Sequence, residues 1–121
     1  MNKIPKTLEE CYLELDKIKG VEEWLAETED DAIPIAHHSV GQWIRNEWNL
    51  WVGGELKDWF IKNEINHPDD MSGIILRSYY RYKNGLNINL YEQFEKTINF
   101  YLTNREKLVR NRKLKLKNLK K

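Results

Sequence analysis

One stretch, Asn66-His67-Pro68-Asp69-Asp70, reads as a helix start at nearly every position. A residue before proline is pushed out of the α region, so His67 suits the cap. Pro68 suits the first helical position, and Asp69 and Asp70 sit where the helix dipole favours negative charge. The helix is expected to reach about Lys83, with Met71, Ile74, Ile75, Ser78, Tyr79 and Tyr82 on one face. Asn84-Gly85 closes it, because glycine adopts the left-handed conformation at low cost. An amphipathic helix with both ends written this clearly has to be covered by other elements, and the rest of the chain offers helices.

Thr7 and Glu10 form a capping-box pair that opens a helix to about Lys19, burying Leu8, Cys11, Tyr12, Leu15 and Ile18. Gly20 ends it, and Val21 to Glu27 follows as a second short helix. Glu29-Asp30-Asp31 reads as a break, with Pro34 in the first turn of a third helix running to about Leu50. Gly53-Gly54 interrupts the chain, and Glu55 to Glu64 forms a short helix. From Leu90, the residues Tyr91, Phe94, Ile98, Tyr101 and Leu102 mark one long helix. It frays near residue 112, where Lys113-Leu114-Lys115-Leu116-Lys117 alternates with period two. The expected fold is all-α: a single compact bundle of about five or six helices (1–104, motif core 35–85) with a basic C-terminal helical extension (105–121).

A chain of 121 residues is one domain and can bury a core without metals or disulfides. Cys11 is the only cysteine, no apolar run approaches the roughly 20 residues that span a bilayer, and no apolar signal region follows the first residues. A cytoplasmic protein without a membrane partner is expected. The net charge of +1 conceals a division. Residues 105–121 hold nine Lys/Arg and one acid, a net of +8, whereas 1–104 hold eleven bases and eighteen acids, a net of −7. Such asymmetry fits a basic tail for an acidic partner, or a tail that folds back on its own body.

Residues 37–48, His-His-Ser-Val-Gly-Gln-Trp-Ile-Arg-Asn-Glu-Trp, are the densest in functional side chains. On a helix, His37, Gly41, Ile44, Trp48 and Trp51 share one side, and His38, Gln42, Arg45 and Asn49 another. The adjacent histidines diverge by about 100°, and no metal-ligand spacing is present, so neither metal nor cofactor is expected. His38, His67, Asp69 and Asp70 are the candidates for acid–base work, and Arg45, Asn46 and Arg77 for a ligand or anion. The competing structural reading pairs Arg45 and Arg77 with Asp69 and Asp70 in a network that fixes two helices. Neither a nucleophile elbow, a P-loop nor a dinucleotide fingerprint occurs, which favours a non-enzymatic reading over catalysis.

Arg77-Ser78-Tyr79-Tyr80-Arg81-Tyr82 interleaves bases with aromatics, and its outward members Tyr80 and Arg81 are candidates for partner or nucleic-acid contact. Arg105, Lys107, Arg110 and Arg112 join them from the tail, as do Lys113, Lys115 and Lys117. Leu108, Leu114, Leu116 and Leu119 argue against a purely electrostatic arm and for a helix with an apolar seam. The expected function is a small non-enzymatic interaction protein docking on RNA, a ribonucleoprotein or an acidic protein surface. Its size and Lys/Asn-rich composition suit a mobile-element-encoded inhibitor of the anti-CRISPR kind. The alternative is a small-ligand, anion-binding or hydrolytic pocket between the two motif helices.

The stretches HHSVGQWIRNEWNLW and HPDDMSGIILRSYYRYKNG resemble an uncharacterised family of small bacterial and phage-associated proteins. The likeness covers about residues 35–85. The resemblance implies a signature of His37, Gly41, Arg45, Asn46 and Trp48, followed by His67, Asp69, Asp70 and Ser72. It supplies kinship without an activity, and it places the acidic N-terminus and the basic tail outside the family.

Overall fold

A computed structural model describes residues 4–119. The fold is all-α. Helices α1 (Leu8–Leu15), α2 (Val21–Leu25) and α3 (Glu29–Ala36) lead into a π-helical turn (His37–Gly41) that continues as α4 (Gln42–Glu47). After a loop come α5 (Glu55–Lys62), α6 (Pro68–Lys83), α7 (Leu90–Phe100) and α8 (Asn104–Leu119). Among the described residues there is no strand, and no helix is long and apolar enough to cross a membrane.

Helix α6 is the element against which α1, α3, the π turn, α4 and α7 all pack. Its start is the one written in the sequence: His67 is extended and its side chain accepts from the Asp69 amide, with Pro68 first in the helix. Met71, Ile74, Ile75, Leu76 and Tyr79 are buried against Leu15, Ile44, Leu50 and Phe60 of its neighbours. Tyr82 is not in this core. It is 54 % exposed and stacks on the outer side of Tyr12, ring centroids 4.7 Å apart.

Three expected boundaries are corrected. Glu29-Asp30-Asp31 is the first turn of α3, not a break, and Pro34 lies inside that helix. Three carboxylates at a helix N-terminus are favoured by the dipole, and that advantage sets the start earlier than the proline suggests. The stretch from Leu90 is two helices. Thr103 Oγ1 accepts from the Glu106 amide (3.2 Å), and Glu106 Oε1 accepts from the Thr103 amide (3.1 Å). This second capping box begins α8 afresh. Finally, α8 does not fray near 112 but continues to Leu119. Lysine and leucine are both good helix formers, so the alternation at 113–117 does not override the helix. Lys120 and Lys121 lie outside the described residues.

Candidate functional site

Arg45 is the hub of the first motif. It is 9 % exposed, wedged between the π turn, α4 and α6. Its Nη1 donates to Ser72 Oγ at 2.9 Å and approaches His37 Nδ1 at 3.4 Å. Nη2 reaches the His37 carbonyl at the long distance of 3.5 Å, and Nε faces Asp69 Oδ1 at 3.3 Å. Ser72 in turn donates to the Asp69 carbonyl, 3.0 Å. A guanidinium keeps its protons, so its approach to Nδ1 leaves the ring proton of neutral His37 on Nε2. Burial, then the Arg45 charge, pushes the His37 pKa down and favours that neutral form.

Gly41 makes the wedge possible. A Cβ there would lie 3.1 Å from Arg45 Nη1, 3.3 Å from the Ala36 carbonyl and 3.3 Å from Leu76 Cδ1. Gly41→Ala is expected to destabilise by about 1–2 kcal/mol in urea unfolding, because overpacking outweighs the gain in helix propensity. A variant as stable as the parent would show that Arg45 moves aside freely.

The remaining candidates do not assemble around Arg45. His38 is exposed and meets only the edge of His37, at 5.3 Å, and Asn46 is exposed. His67 is occupied in capping α6, with Trp51 edge-on at 5.8 Å. Trp51, expected on the buried side, is 52 % exposed because the helix ends before it. Asp70 does not meet an arginine: its carboxylate accepts from Tyr101 Oη at 2.6 Å. The pairing expected for Arg77 is also corrected. Arg77 Nη1 binds Glu29, and Arg81 grips the same carboxylate through Nε (2.9 Å) and Nη2 (3.0 Å). Arg81 Nη1 goes to the Ile88 carbonyl, 2.8 Å. Tyr80, expected to face outward, is buried, with its hydroxyl on the Glu27 carbonyl at 2.6 Å. The helix is covered on two sides, by α1 and by α3, so its buried arc is wider than one stripe.

The end of α3, the π turn, α6 and α7 enclose an open cleft of about 490 Å³. Of the expected site residues, Asp69, Asp70, Arg77 and Arg81 line it. His37 and Lys96 line it too, although neither was singled out for a ligand from the sequence. His38, Arg45, Asn46 and His67 are not part of it. The four proposed acid–base residues are therefore divided, with only the two aspartates at the cleft. Among the described residues no three His, Cys, Asp or Glu side chains gather as metal ligands.

Arg110 ties helix α8 to the body. Arg110 makes two-pronged contacts with Glu95 (Nε 3.0 Å, Nη2 2.7 Å) and with Glu64 (Nη1 3.1 Å, Nη2 2.9 Å). The pairing holds the Glu64 carboxyl below its usual range. Glu64 has φ +67°, a left-handed conformation that costs a side-chain-bearing residue roughly 1–2 kcal/mol. Through Arg110 the tail thus folds back on α7 and on the turn after α5. Beyond Arg110, α8 shows solvent a mixed face: Leu108, Val109 and Leu116 are exposed, together with Arg105, Arg112 and Lys115. Sequence reasoning missed Glu29, Glu64 and Glu95 as partners, because residue spacing does not say which of eighteen acids meets an arginine on another helix.

No curated protein and no solved structure matches the chain at a significant level. The model of a family described as a domain of unknown function, DUF6794, matches residues 4–83. That span runs from α1 to α6, so the acidic N-terminal helices lie inside the family and not outside it as the motifs alone suggested. Helices α7 and α8 lie beyond the match, and with them one wall of the cleft. With more than half of its length under that model, the chain belongs to the DUF6794 family.

Proposed function

We propose that the chain is a non-enzymatic interaction protein whose α8 docks, as a helix, into an acidic groove with an apolar floor on a partner protein. The observation behind this is the outward face of α8. Leu108 is 60 % and Leu116 59 % exposed, two turns apart, with Arg112 one turn from each. Apolar anchors at such spacing, bordered by cations, fit recognition of a helix in a groove. Complementary charge would speed the encounter, and the leucines would supply the holding contact. Anchored through Arg110, α8 presents this face without unfolding the body.

RNA is the less favoured partner. The leucines have no role on a phosphate backbone, and the pair that would stack bases is used internally, Tyr80 in the core and Arg81 on Glu29. A role as a phage- or mobile-element-encoded inhibitor suits the same surface, since a short charged helix lodged in an acidic groove blocks what the groove would otherwise bind.

The test is capture from a bacterial lysate with and without nuclease, followed by calorimetry on the identified partner produced alone. Supporting results are a nuclease-resistant complex with an acidic protein and tenfold or greater weakening by the Leu108→Ser/Leu116→Ser pair. Affinity should also fall steeply with salt and vanish when 105–121 is deleted. Binding to polyuridylate that the leucine substitutions leave unchanged would overturn the proposal in favour of RNA, and salt-insensitive binding would overturn its electrostatic half.

A further inference from the structure

We propose that the cleft between α3, the π turn, α6 and α7 binds a small amphipathic anion, a ring-sized apolar body carrying one carboxylate or phosphate, with Gly73 as its floor. This site is independent of α8 and of the partner surface proposed above.

Gly73 is the starting point. It lies within the sixteen-residue α6, where glycine is the poorest helix former after proline. Gly41 is needed because a Cβ would collide with Arg45, a backbone carbonyl and Leu76, whereas a Cβ at Gly73 would meet nothing within 4 Å. Nor does its backbone adopt a positive φ. Neither conformation nor internal packing asks for glycine here. What the missing side chain provides is room, and the room belongs to the cleft that Gly73 lines.

The polar groups around that floor are not balanced. Of the acids, Asp69 faces Arg45, one oxygen of Asp70 accepts from Tyr101, and Glu29 behind the wall holds Arg77 and Arg81, whereas Glu92 lines the cleft without a partner among the described residues. Arg77 uses only Nη1, so Nε and Nη2 are without a partner among the described residues. Lys96 has no carboxylate within ion-pair distance among them, although Glu92 lies one turn away on the same helix. His37, with its proton on Nε2, adds a neutral donor at the same wall. Two cations with unused donors, Arg77 and Lys96, outnumber the one carboxylate of the cleft uncommitted among the described residues, Glu92, and an anion would sit between the two cations. The apolar part has Ile74 and Ile33 as its bed and Phe100, 82 % exposed, as its lip. A volume of about 490 Å³ lies within the range of small-molecule sites and exceeds what a lone inorganic anion fills.

Phenyl phosphate and phenylacetate are the probes, with inorganic phosphate and benzyl alcohol as half-ligands, each titrated into the full chain and followed by amide NMR and calorimetry. At least one aryl anion should bind, with shifts at Gly73 and Lys96, and each half-ligand should bind at least tenfold more weakly. The preference between the two heads then assigns the ligand to the phosphates or the carboxylates. Gly73→Ala should raise Tm yet weaken the aryl anion, a combination that a purely structural glycine would not give. Gly73→Leu should abolish binding, and Lys96→Gln, which leaves every internal pair intact, should weaken it about tenfold. Failure of both aryl anions to bind at millimolar concentration, or unchanged affinity in Gly73→Leu or Lys96→Gln, would overturn the proposal.

Discussion

Replacing Arg45 by alanine is expected to lower stability by about 3 kcal/mol, a fall in Tm of roughly 10 °C for a chain of this size. The loss does not come mainly from Asp69, whose side chain is half exposed and returns to water when its partner goes. It comes from the space left between the π turn and α6, and from Ser72 and the His37 carbonyl losing a donor in a buried setting. The conservative changes should rank in an unexpected order. Lysine keeps the charge but cannot reach Ser72, His37 and Asp69 from one ammonium, and it would leave that charge poorly solvated. Methionine fills the stem's volume without a charge to bury, and Ser72 still has the Asp69 carbonyl to bond. Arg45→Met is therefore expected to be the milder of the two in urea unfolding. An Arg45→Lys protein as stable as the parent would refute the three-way role.

The first motif illustrates what the sequence could and could not convey. Its helical phase put Ile44 and Trp48 in the core, which follows from spacing alone, whereas a paired Arg45 was one of two competing readings. The phase also placed Arg45 with His38, Gln42 and Asn49 on a polar stripe, and there it failed. The π turn adds a residue to the spiral between His37 and Gly41, which rotates everything after it relative to α3. A fixed 100° step cannot anticipate that. Gly41 is where the chain's own arginine and Leu76 of α6 come close to the backbone.

Other misses were avoidable on physical grounds. Arg77 lies eight and seven residues after Asp69 and Asp70 on one helix, about two turns away, too far for an ion pair within the helix. Its partner had to come from another element, and Glu29 had been set aside as part of a break. Thr103 and Glu106 repeat the spacing of Thr7 and Glu10, so the start of α8 was as readable as that of α1. The apolar pattern that runs on past Leu102 concealed it. The cleft was not readable at all, since Gly73 and Lys96 are 23 positions apart and gain meaning only when α7 lies along α6.

Glu29 carries the second large expectation, and it concerns pH. Its carboxyl accepts from Arg81 at both oxygens and from Arg77, and side-chain bonding from Arg81, offset in part by burial and reinforced by Arg77, holds its pKa below the usual 4.5. A depressed carboxyl stabilises the fold in full above its unfolded pKa, and that contribution disappears as pH falls through the folded value. The loss is therefore confined to the region below about pH 4.5 and leaves stability flat between pH 6 and 8 on this account. Asp16, Glu64 and Glu106 are depressed as well, by Tyr79, Arg110 and Thr103 respectively, so the acid limb is shared among four carboxyls of the described residues. Glu29→Gln keeps the shape and removes the charge, leaving two arginines facing a neutral amide. We expect it to cost about 2–3 kcal/mol at pH 7. Because a protonated Glu29 is itself neutral, the gap between parent and variant should narrow steadily as pH drops from 5 towards 3. Urea unfolding at a series of pH values measures that gap directly. A difference that stays constant across the range would mean that the Glu29 contribution is packing and not charge.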